Sequence, residues 1–100
     1  MLKHIVMWKI KEHHLNKSKE QLVAEAKSML EELPRQIPAI VKLEVGKNIS
    51  NNRSAYDLVL YSEFKDWQSL ETYRSHPGHL EVVEHLRGMV ERGCVVDYQT

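Results

Sequence analysis

The sequence is poor in the residues that staple, break or charge a chain. Cys94 is its only cysteine, so no intramolecular disulfide can form, and a lone thiol fits a reducing compartment. Only three prolines and four glycines interrupt 100 residues, which excludes a collagen-like or low-complexity chain. Neither sign of charge is in excess: 14 Lys and Arg offset 14 Asp and Glu. The basic residues are also scattered, so the electrostatic footprint of a nucleic-acid binder is missing. No apolar run approaches the roughly 20 residues that a membrane helix needs. Met1-Leu2-Lys3-His4-Ile5-Val6 opens as a strand rather than as a secretion signal. These absences lead to the expectation of a cytoplasmic protein forming one domain over residues 1–100, with neither nucleic acid nor membrane as a partner.

What the sequence does have is alternation. Lys3 to Lys11 places His4, Val6, Trp8 and Ile10 on one face and Lys3, Ile5, Met7 and Lys9 on the other, the period of a strand with apolar centres on both sides. Ile40 to Lys47, with Val41, Leu43 and Val45 on one side, reads the same way, as does Tyr56 to Phe64, where Leu58, Leu60 and Phe64 oppose Val59 and Tyr61. Helical periods lie between these strands. Ser18-x-x-Gln21 is a capping box that opens an amphipathic helix on Leu22, Ala26, Met29, Leu30 and Leu33, expected to end at Pro34. Asp66 caps a second helix, in which Trp67, Leu70 and Tyr73 are expected to point inward. Pro77 lacks an N–H and disfavours a continuous helix. The residue before it is driven extended, so His76 becomes a junction, and Pro77 restarts a helix that runs to Gly93 ahead of a last strand over Cys94 to Tyr98.

The order strand, helix, strand, strand, helix, strand predicts an α+β fold of ferredoxin-like βαββαβ type, with a four-stranded antiparallel sheet and two helices on one face. The other face would leave Ile5, Met7, Val59, Tyr61, Val96 and Tyr98 uncovered, a larger apolar patch than a soluble monomer usually exposes. Two sheets packed face to face across a two-fold axis, a homodimer, would cover it.

One stretch carries a chemical signal. His79 falls in the first turn of the restarted helix, in register with Val82, Val83, Leu86 and Val90, and so faces inward near Tyr73. A neutral imidazole beside a phenol can take and return a proton. A buried histidine satisfied by a backbone carbonyl fits the same pattern, which the sequence leaves open, and for His4 a structural hydrogen bond to the second helix is favoured over a catalytic role. His76, His79 and His85, even joined by His13 and His14, match no zinc-ligand spacing, and no metal or cofactor is expected. Cys94, on a strand expected to be buried, reads as inert packing.

Four segments, Lys3-His4-Ile5-Val6-Met7-Trp8-Lys9-Ile10-Lys11, Tyr56-Asp57-Leu58-Val59-Leu60-Tyr61, Tyr73-Arg74-Ser75-His76-Pro77-Gly78-His79-Leu80 and Val95-Val96-Asp97-Tyr98, resemble the stress-responsive A/B barrel (Dabb) domain of the dimeric α+β barrel superfamily. The resemblance covers nearly the whole chain. It implies a homodimer with a pocket between sheet and helices in each protomer. Many members have no assigned activity, some are stress-induced stable assemblies, and similar plant members cyclise linear polyketides by aldol chemistry. By that likeness the catalytic group would be His79 and Tyr73, with His4 on the pocket wall. Val6, Trp8, Leu30, Leu60, Ser62, Trp67, Val82 and Val95 would line the site and bind a small carbonyl or aromatic compound. Trp8 and Trp67 stand where the cyclases have smaller residues, leaving either a flat pocket for a stacked aromatic ligand or a filled core in a non-catalytic dimer. A few members bind a cation through backbone carbonyls that would map to Pro34 to Ile40.

Overall fold

A computed structural model describes residues 1–100. Strand β1 (Leu2–Ile10) leads into a two-residue ribbon, β2 (His13–His14) and β3 (Lys17–Ser18), then helix α1 (Lys19–Glu31) and the short α2 (Leu33–Gln36). β4 (Ile40–Lys47), β5 (Leu58–Phe64), α3 (Trp67–Ser75), α4 (Pro77–Arg87) and β6 (Val90–Gln99) follow. The four long strands form one antiparallel sheet in the order β4-β5-β1-β6. The ferredoxin-like fold expected from the element order is therefore the one observed. No helix is long and apolar enough to cross a membrane.

Local chemistry accounts for most of the boundaries. The Ser18 hydroxyl accepts the Gln21 N–H while the Gln21 side chain accepts the Ser18 N–H at 2.9 Å, closing the capping box at the start of α1. Pro34 does not end the helical region as expected. It sits in the first turn of α2, where its missing N–H has no partner to lose. The Asp66 carboxylate accepts the Ser69 N–H at 2.8 Å, and that bond holds its carboxyl below the usual range. His76 is extended, with φ −67° and ψ 136°, and its own imidazole accepts the Gly78 N–H at 2.9 Å, so the junction residue caps the helix that Pro77 restarts. The end of the Gln36 side chain from α2 rests over Gly78, in the place that a Cβ there would take.

That restarted helix stops at Gly88, not at Gly93, because residues 90–93 are captured by β1: Ile10 pairs with Val90 and Trp8 with Gly93. Val90 is thus a strand residue rather than part of the helical stripe. β5 begins at Leu58, two residues later than the pattern suggested. A register irregularity between Ile40 and Lys42 separates Val41, which is exposed, from Leu43 and Val45, whose side it was expected to share, and Ile40 rather than Val41 is the partner of Phe64. The link between β1 and α1 is a tight ribbon turning through Leu15 and Asn16 at φ 50° and 64°, a left-handed pair that is costly for leucine.

The register fixes the two faces of the sheet. Towards the helices, His4 lies between Ser62 and Asp97, Val6 between Leu60 and Val95, and Trp8 between Leu58 and Gly93. On the outer face, Ile5 lies between Tyr61 and Val96, and Met7 between Val59 and Cys94. Cys94 is exposed there, contrary to its expected burial. Leu22, Ala26, Leu33, Leu60 and Phe64 are among the side chains sealed between sheet and helices. Replacing Ser18 with Ala should cost about 1 kcal/mol, and Leu33→Ala, in the core, about 2–5 kcal/mol. Urea unfolding of the two variants against the parent checks both values and their order.

Candidate functional site

The break at His76 brings together two side chains from separate helices. Tyr73 is directed inward by the last turns of α3, and His79, in the first turn of α4, comes back against it with ring centroids 4.4 Å apart. His4 approaches from β1, 6.0 Å from the Tyr73 ring, and Phe64 packs on the same ring at 5.1 Å. The three residues expected to carry the chemistry therefore meet. Tyr73 is only 1% exposed, and burial raises its pKa. No protein group hydrogen-bonds its hydroxyl, which is not fully sealed from solvent.

His79 is held in one tautomer. Its Nδ1 lies 3.0 Å from the Arg74 carbonyl; a carbonyl only accepts, so Nδ1 carries the proton and Nε2 keeps its lone pair. Burial pushes the His79 pKa down; the bond to the Arg74 carbonyl opposes this, and the nearby charges of His4 and Arg74 add to the lowering. The result is a neutral imidazole at pH 7 beside a phenol that stays protonated, the protonation states of a base and a hydrogen-bond donor.

His4 has a partner that the sequence reading missed. Its Nδ1 lies 2.5 Å from Asp97 Oδ1, and the second Asp97 oxygen accepts from Arg74 at 3.0 Å. Arg74 also reaches Glu71 at 3.3 Å and lies 5.6 Å from the Trp67 ring centroid. The available signal was an acid at a helix-facing position of a valine-rich strand, but only the register of β6 against β1 reveals that Asp97 stands beside His4.

The expected lining residues scatter. Leu30, Leu60 and Ser62 are sealed in the core, and the Ser62 hydroxyl donates to the His4 carbonyl at 3.0 Å, tying β5 to β1. Val82 is buried in the core and borders a recess of about 180 Å³ with Met29, Gln36 and Gly78. Trp67 is 53% exposed rather than inward. Three-residue steps drift by roughly 60° each around a helix, so two steps carry Trp67 off the stripe that buries Leu70 and Tyr73. Val6 is partly buried, whereas its neighbour Val95 is 58% exposed, since the helices stop short of the edge strand β6. Trp8 lines a hollow of about 350 Å³ with Val83, Leu86, Arg87 and Val90. None of the five recesses is lined by His4, Tyr73 or His79; the largest, about 560 Å³, lies on the outer face beside Met7, Gly46 and Val59.

A family model described as the stress responsive A/B barrel domain matches residues 2–100. A dimeric protein of ferredoxin-like fold and unknown function from Bacteroides fragilis is 31% identical, covering 99% of this chain and 95% of its own, with a TM-score of 0.87. A Dabb family protein from Mesorhizobium loti is 24% identical over 99% and 95% of the two chains, with a TM-score of 0.74. Hydroxynitrile lyase from Passiflora edulis is 16% identical over 97% and 90%, with a TM-score of 0.82; at that identity the likeness is one of fold. Among proteins with curated functions, none matches.

The lowered His79 pKa has a consequence for stability. The unfolded chain, with an ordinary histidine pKa near 6.5, takes up a proton that the folded chain resists. This contribution is fully present above about pH 6.5 and is lost as pH falls through the folded value. His79→Gln should therefore flatten the acid side of the stability profile, measured as urea midpoint against pH, relative to the parent.

Proposed function

The chain belongs to the stress responsive A/B barrel domain family, and from that premise we propose that it acts as a homodimer whose protomers each carry an acid/base centre for a small carbonyl or aromatic compound. His79 Nε2 is the base, the Tyr73 hydroxyl donates to the substrate oxygen, and His4, aligned by Asp97, positions the pair. The observation that carries this reading is the contact of His79 with Tyr73, their rings tilted by 47° at 4.4 Å, with one nitrogen of the imidazole tied to a carbonyl and the phenol left without a protein partner. Removing a proton next to a carbonyl needs this combination, a neutral base and a donor that steadies the developing enolate. An aldol cyclisation would begin so; in a lyase step on a hydroxynitrile the base would instead take the hydroxyl proton as the carbonyl forms and cyanide leaves. The protein named as a hydroxynitrile lyase shares the fold and lends the reading general support.

The second reading, a non-catalytic stress-response or structural dimer with a filled interior, is favoured by one observation: no recess is lined by His4, Tyr73 or His79. The two readings separate on a simple probe. With 4-phenyl-2-butanone in heavy water, the acid/base centre should exchange the protons next to the carbonyl, followed by proton NMR. His79→Ala should lose about 100-fold or more of the rate, and Tyr73→Phe should slow exchange while leaving the fold intact. Equal rates in parent and His79→Ala would leave only the structural reading.

The dimer in both readings is joined through the outer sheet face. Met7, Val96 and Tyr98 are exposed there. Tyr61 donates to Glu63 at 2.6 Å, and its pKa is pushed up to about 12, first by that bond, so the face presents a neutral phenol. The 31% identical Bacteroides protein is itself dimeric. Val96→Asp should give a monomer in analytical ultracentrifugation and speed alkylation of Cys94, which shares that face. A parent protein that sediments as a monomer at micromolar concentration would remove the proposal.

A further inference from the structure

The acid/base end of the seam between sheet and helices is closed, but its other end is open. Trp8 is the register partner of Gly93 on the helix face. A Cβ at residue 93 would come within 3.2 Å of both Trp8 Cδ1 and the Met7 carbonyl oxygen. The pyrrole edge of the indole therefore occupies the place that a side chain of the edge strand would take. The ring lies low over β6 and borders the hollow of about 350 Å³ walled by Val83, Leu86 and Val90, with Arg87 among its lining. That volume falls within the range of small-molecule sites, roughly 300–1,000 Å³. Arg87 is paired only with Glu84, at 3.2 Å, and both side chains are largely exposed. Such a pair contributes little and is readily exchanged for another anion.

The hollow is in line with the histidine centre. His79, Val83 and Leu86 follow one another on α4 in steps of four and three, a single stripe. Leu86 is seven residues beyond His79, roughly 10 Å along the helix axis. His4, Val6 and Trp8 form the facing row on β1. The seam lies on the helix side of the sheet, so a dimer joined through the outer face leaves it free.

Resting on the acid/base reading above, we propose that the hollow over Trp8 is a recognition surface in line with that centre. It takes an aryl acid, with the aromatic body against the indole and the carboxylate on Arg87. Gly93 is a specificity residue here, since a Cβ at that position would stand 3.2 Å from Trp8 Cδ1 and press the indole by a few tenths of an ångström towards the hollow.

The test uses biphenyl-4-carboxylate, with biphenyl-4-methanol as its uncharged counterpart, titrated into the nitrogen-15-labelled protein. The chain has two indoles, so Trp67 serves as an internal control for Trp8. A saturable shift of the Trp8 indole N–H, with Trp67 unmoved, is expected. Arg87→Gln should weaken the acid about fivefold, the size of one exposed charge pair, and leave the alcohol unchanged. Gly93→Ala should weaken both probes. His79→Ala should bind the acid like the parent, so loss of proton exchange in that variant is read separately from binding. No shift at millimolar probe, equal movement of both indoles, or an acid affinity indifferent to Arg87→Gln overturns the proposal.

Discussion

The pairing of β1 with β5 along one edge and β6 along the other assigns each β1 side chain to one of two environments. A strand bonded on both sides cannot shift by one residue without sending every inward side chain outward. His4, Val6 and Trp8 are thereby committed to the helices, and Ile5 and Met7 to the opposite surface. The helices answer the first set. They leave the second uncovered, which makes association through that face a matter of hydrophobic burial. The same register puts Asp97 beside His4 and Gly93 beside Trp8, so the proposed centre and the hollow in line with it both follow from it.

Electrostatics at the histidine centre depends on burial acting in opposite directions on two groups. Desolvation disfavours whichever form is charged. For His79 that lowers the pKa, and for Tyr73 it raises it. One cause thus leaves a lone pair and a proton next to each other at neutral pH, with no metal required. Elsewhere charges are used for fastening. Burial pulls the Lys19 pKa down, but hydrogen bonds to Glu12 and Asp57 outweigh it. Asp57 also accepts the Ile10 N–H at 2.7 Å, anchoring the loop before β5 to the end of β1.

The fold was legible in the sequence because its signals are periodic and local. Two-residue alternation marked three strands, Ser18-x-x-Gln21 and Asp66 marked helix starts, and Pro77 marked the break that aims His79 at Tyr73. The misreadings arose where pairing partners lie far apart in the chain. Gly93 looked like a helix stop because nothing local says that β1 claims residues 90–93 for a strand. Trp67 looked inward because a three-residue spacing was extended one step too far around the helix. Val41 was displaced by a bulge that only β5 could reveal. Of the site, His79 and Tyr73 were readable from one motif, and His4 from its place in the alternation of the first strand. The Asp97 and Arg74 partners were not, since an ion pair spanning 23 residues leaves no periodic trace.

The neighbour relation of β1 and β6 also bears on how the molecule is made. His4 pairs with Asp97 and Ile10 with Val90, so a ribosome that has made β1 must still deliver the residues up to Val90 before that strand can begin to gain its second partner. Until then one flank of that strand has unmet amide and carbonyl groups beside exposed valine and methionine, a surface on which chaperones act and on which nascent chains stick to one another. Closure of the sheet is thus a late, long-range event, and pairings so far apart in the chain slow folding because the loop must close before the contacts form.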